Sequence, residues 1–188
     1  RDCLQTHFLL ILIANVSAAQ AWECACPSTR MEGRIAAFIP DSERFQDIYK
    51  AAAPYYQFEI TWPTCQNWMG WASVSYLYKD GRSVPLKDKT TIQMVPIGAG
   101  IKYGFFLPKC FETYMGVGPS YAWVHTHDRS SFVKSRITKH AFGGVLKFGV
   151  SKRYNWFYTS AFFDYQWLFT SGRSVGGALL GGSIGVEF

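Results

Sequence analysis

Charge is scarce in this chain. Of its 188 residues only 17% are Asp, Glu, Lys or Arg, against roughly 25% in soluble domains. Acidic residues are the scarcer sign, 13 against 19 basic, for a net charge of +6. That excess is not gathered into a stripe, so no nucleic-acid partner is expected. Heptads of Leu, Glu and Lys are missing, which excludes a coiled coil. Beyond the first twenty or so residues no run of 18 apolar residues occurs, so a later transmembrane helix is not expected. There is no P-loop, no G-x-G-x-x-G after a strand and no catalytic triad, and the reading is of a non-enzymatic protein without a cofactor. What the chain does have is aromatic residues: 15 Phe, 11 Tyr and 7 Trp, 18% in all. Low charge with so many aromatics excludes disorder, and the length suits a single domain.

The first segment reads as a targeting signal. Residues 7–21, HFLLILIANVSAAQA, hold an apolar core from Phe8 to Ile13 that extends through Ala14 and Val16. It is too short to cross a bilayer, and it ends in Ala19-Gln20-Ala21, which fits an A-x-A cleavage site. Residues 1–21 are therefore expected to be a signal peptide with a truncated start, and Trp22 the mature N-terminus. The competing reading is a buried N-terminal helix. Trp22-Glu23 before Cys24 do not fit a lipoprotein site. Export implies an oxidising compartment.

The rest of the chain alternates with period two, the mark of half-buried strands. Eight stretches read as strands: 31–39, 55–62, 68–78, 91–106, 112–127, 139–151, 156–169 and 176–188. Longer polar connections (40–54, 79–90, 128–138, 170–175) alternate with short ones (63–67, 107–111, 152–155). Helix is credible only in 44–53. In the seventh strand Phe157, Thr159, Ala161, Phe163, Tyr165, Trp167 and Phe169 share one face, with Tyr158, Ser160, Phe162, Asp164 and Gln166 on the other. In the sixth, Phe142, Leu146, Phe148 and Val150 oppose Gly143, Val145, Lys147, Gly149 and Ser151.

Alternation alone does not say which face is inside. A barrel in water would carry Lys, Glu, Asp and Thr on its outer face. Here the second face is mostly Gly, Ser and Ala with isolated charges, which suits a crowded interior. The apolar face should therefore point outward, into lipid, and a lipid-facing wall must close on itself. Eight tilted strands form the smallest such barrel. The expected fold is an all-β, eight-stranded, antiparallel up-and-down transmembrane β-barrel. Trp62, Trp68 and Trp156 would ring one rim, and Tyr76, Tyr121, Trp123, Trp167 and Phe169 the other.

This pattern resembles the small eight-stranded outer-membrane barrels of Gram-negative bacteria, the OmpA transmembrane-domain and OmpX-like group, over residues 22–188. The last strand ends Ile184-Gly185-Val186-Glu187-Phe188. The resemblance implies that Ile184, Val186 and Phe188 form the signal read by the barrel-assembly machinery. It also implies a cell outer-membrane location with both termini periplasmic. Residues 22–30 would be a periplasmic segment and 31–188 the barrel.

Four groups of residues could carry function. Arg34, Glu59, Lys102, Lys147, Asp164 and Glu187 fall on inward faces, three of each sign, and should pair, since an unpaired charge in a narrow core costs several kcal/mol. Glycines near Lys102 (Gly98, Gly100, Gly116, Gly118) would leave room for its stem. The plug reading competes with an ion path, although eight strands leave an interior that side chains fill. His125, His127 and His140 lie where the fifth and sixth strands meet their loop, with His125 and His140 roughly opposite. They read as rim residues, or as a weak metal candidate. His127 with Asp128 and Ser130 or Ser131 could imitate a nucleophile and base of a lipid A-modifying enzyme, though the spacing is wrong for it. Cys24, Cys26, Cys65 and Cys110 all fall at the periplasmic end and read as disulfide candidates, within the chain or to envelope partners. Lys79, Arg82, Lys87 and Lys89 against Asp80 and Asp88, with Arg129, Lys134 and Arg136 against Asp128, give two basic loops. These would meet lipopolysaccharide phosphates. The role expected is structural or surface interaction, with a narrow, porin-like solute or ion channel as the alternative.

Overall fold

The computed structural model describes residues 28–42, 48, 52–82, 89–107, 111–129, 134–170 and 173–188. The strands are β1 (Arg30–Pro40), β2 (Ala53–Cys65), β3 (Trp68–Arg82), β4 (Lys89–Leu107), β5 (Phe111–Arg129), β6 (Lys134–Tyr154), β7 (Phe157–Thr170), a two-residue β8 (Arg173–Ser174) and β9 (Gly177–Glu187). Each long strand pairs antiparallel with its neighbours in the chain, β7 with β9, and β9 with β1. The ring therefore closes with eight wall strands, and β8 only extends the hairpin after β7.

The alternation of the sequence becomes the wall's two faces. Along β1 every second residue from Arg30 to Pro40 is buried and those between are exposed from Gly33 onward. The outer face carries Ile35 (63% exposed), Phe142 (66%) and Ile184 (64%). Phe148 and Phe163 stand opposite each other across β6 and β7, both exposed. The outer face is apolar, while the inner face holds the buried charges together with a cluster of large apolar side chains. Trp62, Trp68 and Trp156 are exposed beside the short turns, and Tyr76 and Phe169 are exposed toward the other end. We call these the turn end and the loop end. Ser28 and Phe188 both lie at the turn end, where the Phe188 amide donates to the Thr29 carbonyl oxygen.

The two described turns at that end are tight. Gln66-Asn67 joins β2 to β3, and Asn155-Trp156 joins β6 to β7. Gln66 (φ 48°) and Asn155 (φ 53°) are left-handed, a conformation asparagine tolerates better than most residues. At the loop end the hairpins outrun the expected strands. β3 and β4 pair as far as Arg82 and Lys89, and β5 and β6 as far as Arg129 and Lys134. The polar composition of 79–82, 89–90, 128–129 and 134–138 marks solvent, not irregular backbone, because ladder bonds form as well in water-exposed hairpins. β1 likewise begins at Arg30, one residue inside the segment set apart as 22–30. Of the helix expected over 44–53, Ile48 is helical. Residues 43–47 and 49–51 lie outside the described residues, and strand has begun by Ala53. The expected signal peptide and Cys24, Cys26 and Cys110 also lie outside them.

The lumen is filled in layers. Toward the loop end Phe38, Tyr55, Leu77, Met94, Phe162, Leu168 and Leu179 form an apolar cluster, against which Ile48 and Val175 pack. Below it lies a charged layer at mid-height, and at the turn end a second, smaller one. Close backbone contacts limit side-chain size in the wall. At Gly143 an added Cβ would collide with the Trp167 carbonyl oxygen on β7. Gly143→Val should therefore destabilise the barrel by about 1–3 kcal/mol through overpacking. Urea unfolding of the detergent-refolded protein, followed by tryptophan fluorescence, measures it; an unchanged midpoint would show that the β6–β7 contact is looser than described.

Candidate functional site

The mid-lumen charges are built by strand parity. Arg34 on β1, Glu59 on β2, Lys102 on β4, Lys147 on β6 and Asp164 on β7 all occupy inward positions and are almost fully buried. Lys147 and Asp164 are direct cross-strand partners. Gly116 separates Lys102 from Lys147 in register across β4, β5 and β6. An added Cβ at Gly116 would stand 2.8 Å from the Lys102 Cγ and 3.5 Å from the Lys147 Cβ. A larger residue there would displace the Lys102 stem, so glycine lets both lysines converge.

They converge on Glu59. Its Oε2 accepts from Arg34 Nη1 at 3.0 Å and from Lys147 Nζ at 2.8 Å, and its Oε1 accepts from Lys102 Nζ. Asp164 Oδ2 shares two of these donors, Arg34 Nη1 at 2.9 Å and Lys147 Nζ at 3.0 Å. Gln57 and the Tyr114 hydroxyl bond the same guanidinium at 3.2 and 3.3 Å. Glu32 joins from the side, 3.9 Å from Arg34 Nε and 3.8 Å from Lys102 Nζ. The cations also lie over ring faces. Arg34 Cζ is 3.6 Å from the Phe162 centroid, and the Lys102 and Lys147 ammonium groups are 4.6 Å from those of Tyr114 and Trp71. Three cations meet three carboxylates, so the layer is neutral.

Glu187 does not join them. At the turn end its Oε1 takes Arg153 Nη2 at 2.6 Å and Arg30 Nε at 3.4 Å, and accepts from the Ser28 hydroxyl. Arg30 in turn reaches Glu112 Oε2 at 2.5 Å. Arg30, Glu32 and Glu112 complete these layers beyond the six inward charges expected from the sequence. The signal was there, since Arg30, Glu32 and Arg34 alternate along one strand face and Glu112 shares parity with Tyr114. A cavity of about 10 Å³ lies between the apolar and mid-lumen charged layers, beside Gln57, Ser75, Ser120, Lys147, Asp164 and Gln166. That is at the threshold for a single water.

The other candidates separate. His140 stands opposite Trp123, and His125 opposite Thr138, so the two histidines are offset rather than facing. His140 Nδ1 meets the Tyr121 hydroxyl at 2.5 Å, and His125 Nδ1 meets Thr138 Oγ1 at 2.9 Å. Among the described residues no cluster of three His, Cys, Asp or Glu side chains forms. His127 thus does not combine with the other two into a metal centre. Cys65 carries a free, exposed thiol. The cysteines it was expected to pair with, Cys24, Cys26 and Cys110, lie outside the described residues.

Glu59→Gln should be the most damaging conservative change in the lumen, because it leaves three buried cations facing two carboxylates. The expected loss is about 3–5 kcal/mol. Replacing Lys102 and Glu32 together by apolar residues of similar volume should cost less than Lys102→Met alone. Urea titrations in lipid vesicles check both. Equal losses for the single and double replacements would mean that water reaches this layer.

No family model and no curated protein matches the chain. Solved structures do. The outer membrane protein OprG from Pseudomonas aeruginosa superposes with a TM-score of 0.64 at 15% identity, covering 87% of this chain and 97% of that one. Neisserial surface protein A gives 0.59 at 14% identity, with 85% and 97% covered. Ail, the attachment invasion locus protein of Yersinia pestis, gives 0.55 at 12% identity, with 85% and 98% covered. At such identities the likeness is one of fold, and the fold of this chain is that of the small eight-stranded outer-membrane β-barrels.

Proposed function

We propose that the protein is a sealed outer-membrane β-barrel with a structural and surface-interaction role, both termini periplasmic and the loop end displayed outside. The observation that carries this reading is the filled lumen. A neutral charged layer whose cations are each paired and an apolar layer lie in series, and ions crossing would have to break the first and dewet in the second. The outer face is apolar over the same height, which supports a lipid environment. Ile184, Val186 and Phe188 lie on one outward stripe of β9 and its end, accessible to the barrel-assembly machinery. The role is non-enzymatic, and no cofactor enters it.

The loop end offers the contact surface. Its sequence carries Lys79, Arg82, Lys87, Lys89, Arg129, Lys134 and Arg136 against Asp80, Asp88 and Asp128. A net basic rim attracts the phosphates of lipopolysaccharide. Ail, which shares the fold, was solved in complex with the heparin analogue sucrose octasulfate, and a sulfated polyanion suits this rim for the same electrostatic reason.

Planar-bilayer recording tests the central reading. The refolded protein should insert without producing ohmic current steps, and regular steps would favour the narrow channel instead. A second measurement tests the faces. Phe148→Arg should cost about 2–4 kcal/mol if that residue sits near the bilayer midplane. No loss of stability in lipid vesicles would place Phe148 outside the hydrocarbon.

A further inference from the structure

Away from the loop end, one outward position among the described residues carries a charge: Lys152 of β6. It shares its face with Phe148 and Val150, both exposed on the apolar wall. Phe111 stands opposite it on β5 and Thr159 on β7, and its diagonal neighbours are Thr113, Phe157 and Ala161. None of these is acidic. The carboxylates of Glu112 and Glu187 at the same end lie inside the wall and are engaged there, Glu112 by Arg30 and Glu187 by Arg30 and Arg153. Lys102 and Lys147 in the lumen each meet a carboxylate; among the described residues Lys152 meets none.

Aromatic rings surround its ammonium instead. Lys152 Nζ lies 5.2 Å from the Phe111 ring centroid and 5.1 Å from that of Tyr154. Tyr154 stacks on Phe157 at 5.2 Å, and Trp156, 68% exposed in the turn, meets Phe157 edge-on at 5.4 Å. Ring faces attract a cation but carry no net charge, so the positive charge is held without being neutralised. The stem can lie on the apolar wall while the head reaches the level of water. Toward mid-height the next row across β5, β6 and β7 is Thr113, Val150 and Ala161, and the row after it is Met115, Phe148 and Phe163. The nearer row is small and the farther one large, which leaves a shallow dip in the wall, about 7 Å along the strand from the lysine.

We propose that Lys152, framed by Phe111, Tyr154 and Trp156, is the headgroup site of an anionic glycerophospholipid in the leaflet at the turn end. A lipid supplies both things the site asks for. Its phosphate accepts from the ammonium N–H groups that the rings leave over, a charge-assisted bond, and the first part of an acyl chain lies in the dip over Thr113, Val150 and Ala161. A zwitterionic lipid brings a cation of its own beside Lys152 and is held less well. This rests on the reading of the outer face as lipid-facing, and it adds a defined lipid site to that face.

The test reconstitutes the full chain in nanodiscs that hold phosphatidylglycerol and phosphatidylcholine of identical acyl chains in equal amounts. The barrel is then released into mild detergent for native mass spectrometry. One phosphatidylglycerol should stay bound, favoured about tenfold over phosphatidylcholine. Lys152→Gln should abolish that preference and Lys152→Arg should keep it, both in the heat-modifiable folded form. A phosphatidylglycerol with a photoreactive group beside its phosphate should label the native chain within 111–115 or 152–159, which decides the matter even if Lys152→Gln does not fold. Glycerol phosphate, the headgroup without chains, should not displace the lipid. Equal retention of both lipids, an unchanged preference in Lys152→Gln, or labelling confined to the loop end would overturn the proposal. Displacement by glycerol phosphate would overturn it in favour of a plain anion site. A barrel that holds no preferred lipid but still loses stability on Phe148→Arg loses this proposal alone. No loss on Phe148→Arg would remove the lipid-facing reading beneath it.

Discussion

One carboxylate holds the lumen together. Glu59 accepts from Arg34, Lys102 and Lys147, and so ties β2 to β1, β4 and β6 through the middle of the barrel. Backbone ladders join only neighbouring strands; this cluster also joins β2 to β4 and β6, with which β2 does not pair. Its net contribution to stability is small, because desolvation of six charges offsets most of their attraction. Its contribution to specificity is larger. A one-residue slip of any contributing strand would turn its charge outward into the apolar face. The penalty for that is several kcal/mol in hydrocarbon.

The same constraint accounts for the small residues around it. Charged stems need space, and a wall closed at eight strands has little. Gly116 clears the space between Lys102 and Lys147, while Trp71, Tyr114 and Phe162 offer ring faces to the cations where no carboxylate reaches. The apolar layer above follows a different logic. Toward the loop end the inward positions are Phe38, Leu77, Met94 and Leu179, and Ile48 and Val175 come from outside the long strands to cover them. Buried apolar contact there closes the barrel without any charge to satisfy. The two layers together fill the lumen.

Beyond the ring the constraints relax. The hairpins β3–β4 and β5–β6 continue where β2 and β7 have stopped, and no bilayer is needed to hold them. Water can satisfy an unpaired edge there, which hydrocarbon could not. A strand margin is therefore possible only in this part of the molecule.

Much of this was legible in the chain because side-chain direction in a strand is a local property. Phe163 and Trp167 against Asp164 and Gln166, or Phe148 against Lys147, assign two faces by parity alone. The small and charged character of the second face then decides that it is the interior. Height along the barrel is not local. Glu187 shares the inward face of the mid-lumen charges but not their level, because the β7–β9 register sets Asp164 opposite Leu179 and carries Glu187 past Phe157 to the turn end. Glu32, two residues from Arg34, meets Lys102 only through the barrel's closure, and His125 and His140 share a face but not a level. Strand ends were also hidden, since a polar hairpin in water and a polar loop have the same composition. The sequence by itself determined which side of the wall each residue faces. The closed ring, by fixing the stagger of one strand on the next, decided which of those residues meet.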